Sequence, residues 1–134
     1  MNLFAYGTLM EPSVMERVAR ELPNRQWGTL KGYERRAFKE KTYPGLVEKA
    51  GSSVRGIVYF DLSARAWERL DRFEGDRYTK KEVHVFLDDG PSAAAWTYVT
   101  AQEFIYELSD EGWDYEAFRL KRHGGIRGLA RRLR

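Results

Sequence analysis

Tyr78-Thr79-Lys80-Lys81-Glu82-Val83-His84-Val85-Phe86-Leu87-Asp88-Asp89-Gly90-Pro91-Ser92-Ala93-Ala94-Ala95-Trp96-Thr97-Tyr98-Val99-Thr100 decides the fold class. Val83, Val85 and Leu87 alternate with Glu82, His84 and Phe86, the period of a strand buried on one face. Asp88-Asp89-Gly90-Pro91 is a turn signal, and Ala93 to Thr100 returns as the partner strand. Two strands joined directly by a turn need no crossover helix. Working outward, Ser63 is placed to N-cap a helix running to about Arg72, with Leu62 and Trp67 at the spacing of a hydrophobic staple. Trp67, Leu70 and Phe73 would form its buried stripe. Before it, Val54 to Phe60 and Gln26 to Phe38 have strand character, and Tyr43 to Val47 combines a turn with the start of another strand. Residues 1–6 form a short apolar strand ended by Gly7; a helix then begins near Pro12, with Val14, Met15, Val18 and Leu22 at helical spacing and Pro23-Asn24 closing it. A last helix is expected from Asp114 to Gly124-Gly125, with Trp113 and Phe118 again at staple spacing. Strands outnumber helices and are joined partly by turns, which predicts an α+β fold and not a doubly wound sheet.

The chain has 134 residues, 43% of them hydrophobic, enough for one domain with its own core. Cysteine is absent, which excludes disulfides, thiol nucleophiles and thiolate metal sites, and two histidines cannot make a three-histidine site. His84 in mid-strand and His123 near a helix end both read as structural, and no metal site is expected. The net charge of +3 is uneven. Residues 119–134 carry Arg119, Lys121, Arg122, Arg127, Arg131, Arg132 and Arg134 and no acid, so a 1–118 domain, mildly acidic, is followed by a basic helix end and tail. That tail reads as solvated or packed on the acidic body; contact with nucleic acid or another anionic surface through it is the alternative. No apolar run approaches the roughly 18 residues of a membrane helix, and no export signal stands at the N-terminus, so cytoplasm is the expected location and no membrane partner is expected. Nothing in the pattern sets an oligomeric state.

No dinucleotide, phosphate-loop or nucleophile-elbow motif occurs. Two stretches could carry chemistry. Tyr6-Gly7-Thr8-Leu9-Met10 is a strand end turning through glycine, whose amides could receive a carboxylate; taken alone, the stretch reads first as a plain strand-to-helix turn. In Leu70-Asp71-Arg72-Phe73-Glu74-Gly75-Asp76-Arg77-Tyr78, Glu74 stands between an aromatic ring and a glycine. Partial burial there would raise its proton affinity and suit it to general acid–base work; the other reading is a solvated glutamate beside a C-cap glycine.

Tyr6-Gly7-Thr8-Leu9, Tyr43-Pro44-Gly45-Leu46-Val47, Val54-Arg55-Gly56-Ile57-Val58-Tyr59 and Leu70-Asp71-x-Phe73-Glu74-Gly75-x-x-Tyr78, in this order and spacing, resemble the γ-glutamylcyclotransferase-like family. Its short AIG2-like proteins and γ-glutamylamine cyclotransferases are the nearest likeness. The resemblance implies a small mixed β-barrel flanked by helices. It further implies a small-molecule γ-glutamyl substrate cyclised to 5-oxoproline with release of an amine, without a cofactor. Glu74 matches the catalytic acid–base residue; Tyr6, Gly7, Thr8 and Leu9 match the substrate loop; Tyr43, Pro44, Gly45 and Tyr78 match further pocket positions. A same-fold protein with another role, or none, in catalysis is the competing expectation.

Overall fold

The structure, a computed structural model, describes residues 1–120. Six strands and two complete helices follow one another as β1 (Leu3–Ala5), α1 (Pro12–Ala19), β2 (Arg25–Phe38), β3 (Pro44–Tyr59), α2 (Ala64–Glu74), β4 (Tyr78–Leu87), β5 (Ser92–Thr100) and β6 (Leu108–Gly112). A third helix begins at residue 115. The strand order is β3-β1-β5-β4-β2-β6, and β2 also pairs with β3, so five strands close into a barrel and β6 extends it beyond β2. Only β1 and β5 run parallel; every other pairing is antiparallel. This is the α+β mixed barrel with flanking helices that the sequence leads one to expect.

Alternation along the strands divides the core in two. Phe4, Leu30, Val58, Val85 and Ala95, one from each barrel strand, pack in the interior cluster. Leu3, Ala5, Ile57 and Tyr59, their neighbours on the opposite faces, pack instead against Met15 and Ala19 of α1 and Trp67 and Leu70 of α2. The expected β4–β5 hairpin forms, with Val83 opposite Ala95, Val85 opposite Ala93, and Glu82, His84 and Phe86 exposed.

Several boundaries differ from the sequence expectation. The first helix stops at Ala19 and not at Leu22, because Arg20 takes a left-handed conformation (φ 61°) and its N–H bonds the Glu16 carbonyl at 2.8 Å. Pro44–Val47 and Val54–Tyr59 belong to one long strand, β3, which leaves Tyr43 and Phe60 just outside it and is interrupted at a bulge where Lys31 opposes Ser53 but Tyr33 opposes Glu48. The second helix runs to Glu74, capped by the Ser63 hydroxyl on the Ala66 N–H at 3.1 Å. Its buried stripe is Ala66, Trp67 and Leu70; Phe73 is 50% exposed, displaced from the stripe at the helix end. Residues 102–107 form 3₁₀ turns leading into β6, neither of which the sequence pattern predicts. Asp114 does cap the third helix, its carboxylate accepting the Glu116 N–H at 3.1 Å, and Trp113 stacks on Phe118 at 5.4 Å. The expected stop at Gly124-Gly125, His123 and most of the basic tail lie outside the described residues. Among the described residues no helix is long and apolar enough to cross a membrane.

Candidate active site

β1 delivers the chain into a cavity of about 630 Å³ lined by β1, the turn after it, α1, the end of α2 and residues 42–44. Beyond Ala5 the backbone leaves the sheet at Tyr6 and Gly7 and closes a 3₁₀ turn over Thr8–Met10. The Met10 and Glu11 amides bond the Gly7 and Thr8 carbonyls at 2.9 and 3.2 Å. The first amides of such a turn have no partner within it, and those of Thr8 and Leu9 find no acceptor among the described residues. The turn is fixed from its other side: the Tyr6 hydroxyl donates to the Tyr98 carbonyl, the Tyr59 hydroxyl donates to the Leu9 carbonyl at 2.7 Å, and Arg35 Nη1 donates to the Tyr6 carbonyl at 2.8 Å. Gly7 needs to be glycine for a local reason. A Cβ there would stand 2.9 and 3.0 Å from the ring carbons of Pro44.

Glu74 lines the same cavity. It is the last residue of α2, and Gly75 ends the helix in a left-handed conformation (φ 74°) with its N–H on the Asp71 carbonyl. That φ is one glycine reaches freely. Phe73 and Glu74 both line the cavity at this helix end. Among the described residues the Glu74 carboxyl has no hydrogen-bond partner, and burial alone pushes its pKa up to about 8. Three tyrosines surround the same space, and each has committed its hydroxyl elsewhere. Tyr6 donates to Tyr98, Tyr78 to the Pro44 carbonyl at 2.7 Å, and Tyr98 to Asp71 Oδ1 at 2.6 Å. Burial raises the pKa of all three, so they are neutral phenols at ordinary pH.

Of the residues singled out in the sequence, Tyr6, Gly7, Thr8, Leu9, Tyr43, Pro44, Glu74 and Tyr78 all line this one cavity. Gly45 does not. It lies on the strand face away from the interior cluster that holds Leu46, where a side chain would run into Thr100, Leu108 and Phe38. The cavity also has walls that carried no assigned role in the sequence. Val14, Arg17 and Val18 present one face of α1, Tyr98 comes from β5, and Phe118 from the third helix. The positions 14, 17 and 18 share a helical face by spacing alone, which was the available signal for Arg17. Arg77, also at the rim, is paired with Glu107 at 3.1 Å. No cluster of three or more metal-ligating side chains occurs among the described residues.

The closed five-stranded mixed barrel is a fold shared with a structure named gamma-glutamyl cyclotransferase, which superposes with a TM-score of 0.66 at 18% identity, over 75% of this chain and 66% of that one. The family described as gamma-glutamyl cyclotransferase, AIG2-like, matches residues 3–116, and this chain belongs to it. AIG2-like protein C of Arabidopsis thaliana is 31% identical over 119 residues, covering 88% of this chain and 69% of the relative. A γ-glutamylcyclotransferase and putative RNase of Methanocaldococcus jannaschii is 26% identical over 100 residues, covering 73% and 45%. An Arabidopsis thaliana protein solved in solution superposes with a TM-score of 0.74 at 27% identity, covering 96% of this chain and 87% of that one.

Proposed function

We propose that this protein converts a γ-glutamyl amide to 5-oxoproline and a free amine, with Glu74 as the group that moves the protons. The observation that carries the reading is the shared cavity: an unpartnered carboxyl with a pKa raised to about 8 lies in the same enclosure as the free amides of the Thr8–Leu9 turn. Family membership supports the same chemistry.

The turn amides receive the substrate α-carboxylate and hold the glutamyl chain folded, so that its α-nitrogen stands near its own γ-carbonyl carbon. Fixing that orientation removes much of the entropic barrier to ring closure. The α-ammonium cannot attack. Ionised Glu74 takes one of its protons, the amine adds to the γ-carbonyl, and the C–N bond of the lactam forms. Glu74 returns that proton to the leaving nitrogen as the old amide bond breaks. It then takes the second surplus proton from the ring nitrogen and passes it to the departed amine, ending ionised as it began. The nucleophile gives up two protons and the departing ammonium gains two, so the balance closes without a cofactor. A carboxyl whose pKa is near the working pH is suited to both halves of this exchange.

The test is release of 5-oxoproline from γ-glutamyl dipeptides and γ-glutamyl amines by the wild type and by Glu74→Gln. Turnover in the wild type and its loss in the variant are expected. A fully active variant would remove Glu74 from the mechanism, and an inactive wild type across both substrate sets would remove the activity.

A further inference from the structure

Arg35 lies on β2 opposite Leu46, behind the turn and outside the wall that faces the cavity. Its Nη1 donates to the Tyr6 carbonyl at 2.8 Å and to the Arg55 carbonyl at 3.2 Å, and reaches Met10 Sδ at 3.8 Å. One nitrogen therefore touches both ends of the Tyr6–Met10 segment and the neighbouring strand β3. The guanidinium is covered by the Trp113 ring at 5.3 Å. Trp113 is itself anchored through Nε1 to the Thr42 carbonyl at 2.9 Å and stacked on Phe118, and both Thr42 and Phe118 line the cavity.

The acceptors divide the arginines: Arg69, like Arg35, donates to a backbone carbonyl, that of Ala19 at 3.0 Å. Arg36, Arg55 and Arg77 pair with Glu34, Asp88 and Glu107. The acceptors of Arg35 are two carbonyls and a thioether. Burial lowers its pKa from the ordinary guanidinium value, with Asp114 acting in the opposite direction. A partly desolvated charge is costly unless it is bonded, and here it is spent on backbone. The bond to Tyr6 has a geometric consequence. The Tyr6 carbonyl and the Gly7 N–H belong to one planar trans peptide and point in opposite directions. Gripping the oxygen on one side sets the direction of the N–H on the other.

We propose that Arg35 is the positioning residue of the site, holding the Tyr6–Met10 turn in the shape whose amides receive a substrate carboxylate. What the turn binds rests on the cyclotransferase reading; what Arg35 holds does not. The turn contacts the carboxylate equally before and during ring closure, so loosening it removes uniform binding. KM rises and kcat changes little.

Arg35→Met, Arg35→Lys and Trp113→Leu test this with two readouts. In kinetics with a γ-glutamyl substrate, Arg35→Met is expected to raise KM by about tenfold while kcat stays within about threefold. The pH at half-maximal kcat/KM stays that of the wild type, because Glu74 is untouched. Arg35→Lys, which keeps the charge and loses the fork, falls between, and Trp113→Leu repeats the effect more weakly. In amide hydrogen exchange, Met10 and Glu11, whose N–H groups close the turn on the Gly7 and Thr8 carbonyls, exchange faster in Arg35→Met while the β4–β5 hairpin stays protected, which also shows that the variant is folded. Unchanged KM, or unchanged exchange at the turn, overturns the proposal, as does a kcat loss accompanied by a shifted pH midpoint. A wild type that releases no 5-oxoproline defeats the cyclotransferase reading alone; the exchange comparison then still decides what Arg35 does.

Discussion

Glu34 on β2 and Glu74 at the end of α2 are the same side chain in opposite circumstances. Glu34 accepts from Arg36 Nε at 2.6 Å and from Lys49 Nζ at 2.9 Å, and the Arg36 bond above all holds its pKa below the usual carboxylate range. Glu74 has no such partner among the described residues, and burial lifts its pKa to about 8. Sequence neighbourhood does not explain the contrast, because Glu74 also has arginines close by, at Arg72 and Arg77. Backbone period does. Residues two apart on a strand share a face, so Arg36 meets Glu34. Arg77 lies past the helix end and turns to Glu107 instead. A carboxylate that has partners is a fixed charge, and one that lacks them can exchange a proton.

The largest expected difference between the two is in turnover. Glu74→Gln should lower kcat by about 10²- to 10⁴-fold, the usual worth of a positioned acid–base group. Glu34→Gln should leave 5-oxoproline release within about twofold, since its carboxylate lies outside the cavity lining. Equal losses in both would mean that the cavity confers nothing special on Glu74. In the wild type, kcat/KM should rise with pH, reaching half its maximum near 8, because only ionised Glu74 can take the ammonium proton. A profile already flat above pH 5 would mean a carboxyl with an ordinary pKa.

Glycines extend the same contrast at smaller scale. Gly7 in the cavity is constrained by a neighbour, Pro44, whereas Gly51 in the β3 bulge has open space around it and is constrained by its backbone (φ 85°). Gly7→Val should therefore push the turn off Pro44 and raise KM severalfold or more, at a cost of about 1–3 kcal/mol from overpacking. Gly51→Ala should cost about 1 kcal/mol from the left-handed backbone alone and leave KM unchanged. Kinetics and urea melts on the pair separate the two causes; a Gly7→Val enzyme with wild-type KM would show that the turn shape is irrelevant to binding.

The comparison also explains what the sequence disclosed. The β4–β5 hairpin and α2 were legible because alternation, the Asp88–Pro91 turn and the Ser63 cap are local signals. Glu74 was legible as a candidate through its flanking ring and glycine, and the turn through its glycine. The continuity of β3 was hidden by Lys49, Ala50 and Gly51, polar or small residues at a bulge that look like a loop when the β2 partner is not in view. β6 was hidden because Ser109, Asp110, Glu111 and Gly112 have no strand pattern; they pair with β2 because that edge is available. Phe73 continues the helical spacing of Leu70 but stands at the helix end beside the cavity, where it is half exposed and no core element among the described residues covers it. Gly45 and Pro44 are adjacent in sequence, yet Pro44 lines the cavity and Gly45 packs on the opposite strand face against Phe38, Thr100 and Leu108, which alternation at a strand start decides and a motif cannot. Arg35 was invisible because its importance lies in three acceptors contributed by residues 6, 10 and 55.

The last expected effect concerns stability, where the two glutamates should act with opposite sign. Glu34 has a lower pKa folded than unfolded, so its contribution is present above the unfolded value of about 4.3 and is lost as pH falls through the folded value. The Tm of Glu34→Gln, relative to wild type, should fall as pH rises from 3 to 6 and then level off. Glu74 has a higher pKa folded than unfolded. Between about 4.3 and 8 the folded chain keeps a proton that the unfolded chain has released, so wild-type stability declines as pH rises across that window. Glu74→Gln has no such proton to lose. Its Tm relative to wild type should climb from pH 5 to 8, by the equivalent of a few kcal/mol at about 1.4 kcal/mol per pKa unit, and level off above that. Thermal melts of the three proteins at pH 3.5, 5, 6.5, 8 and 9 give two difference curves of opposite slope. A flat curve for Glu74→Gln would mean that Glu74 ionises in the folded protein as readily as in the unfolded chain. The contrast between a partnered and an unpartnered carboxyl would then be one of geometry and not of proton affinity.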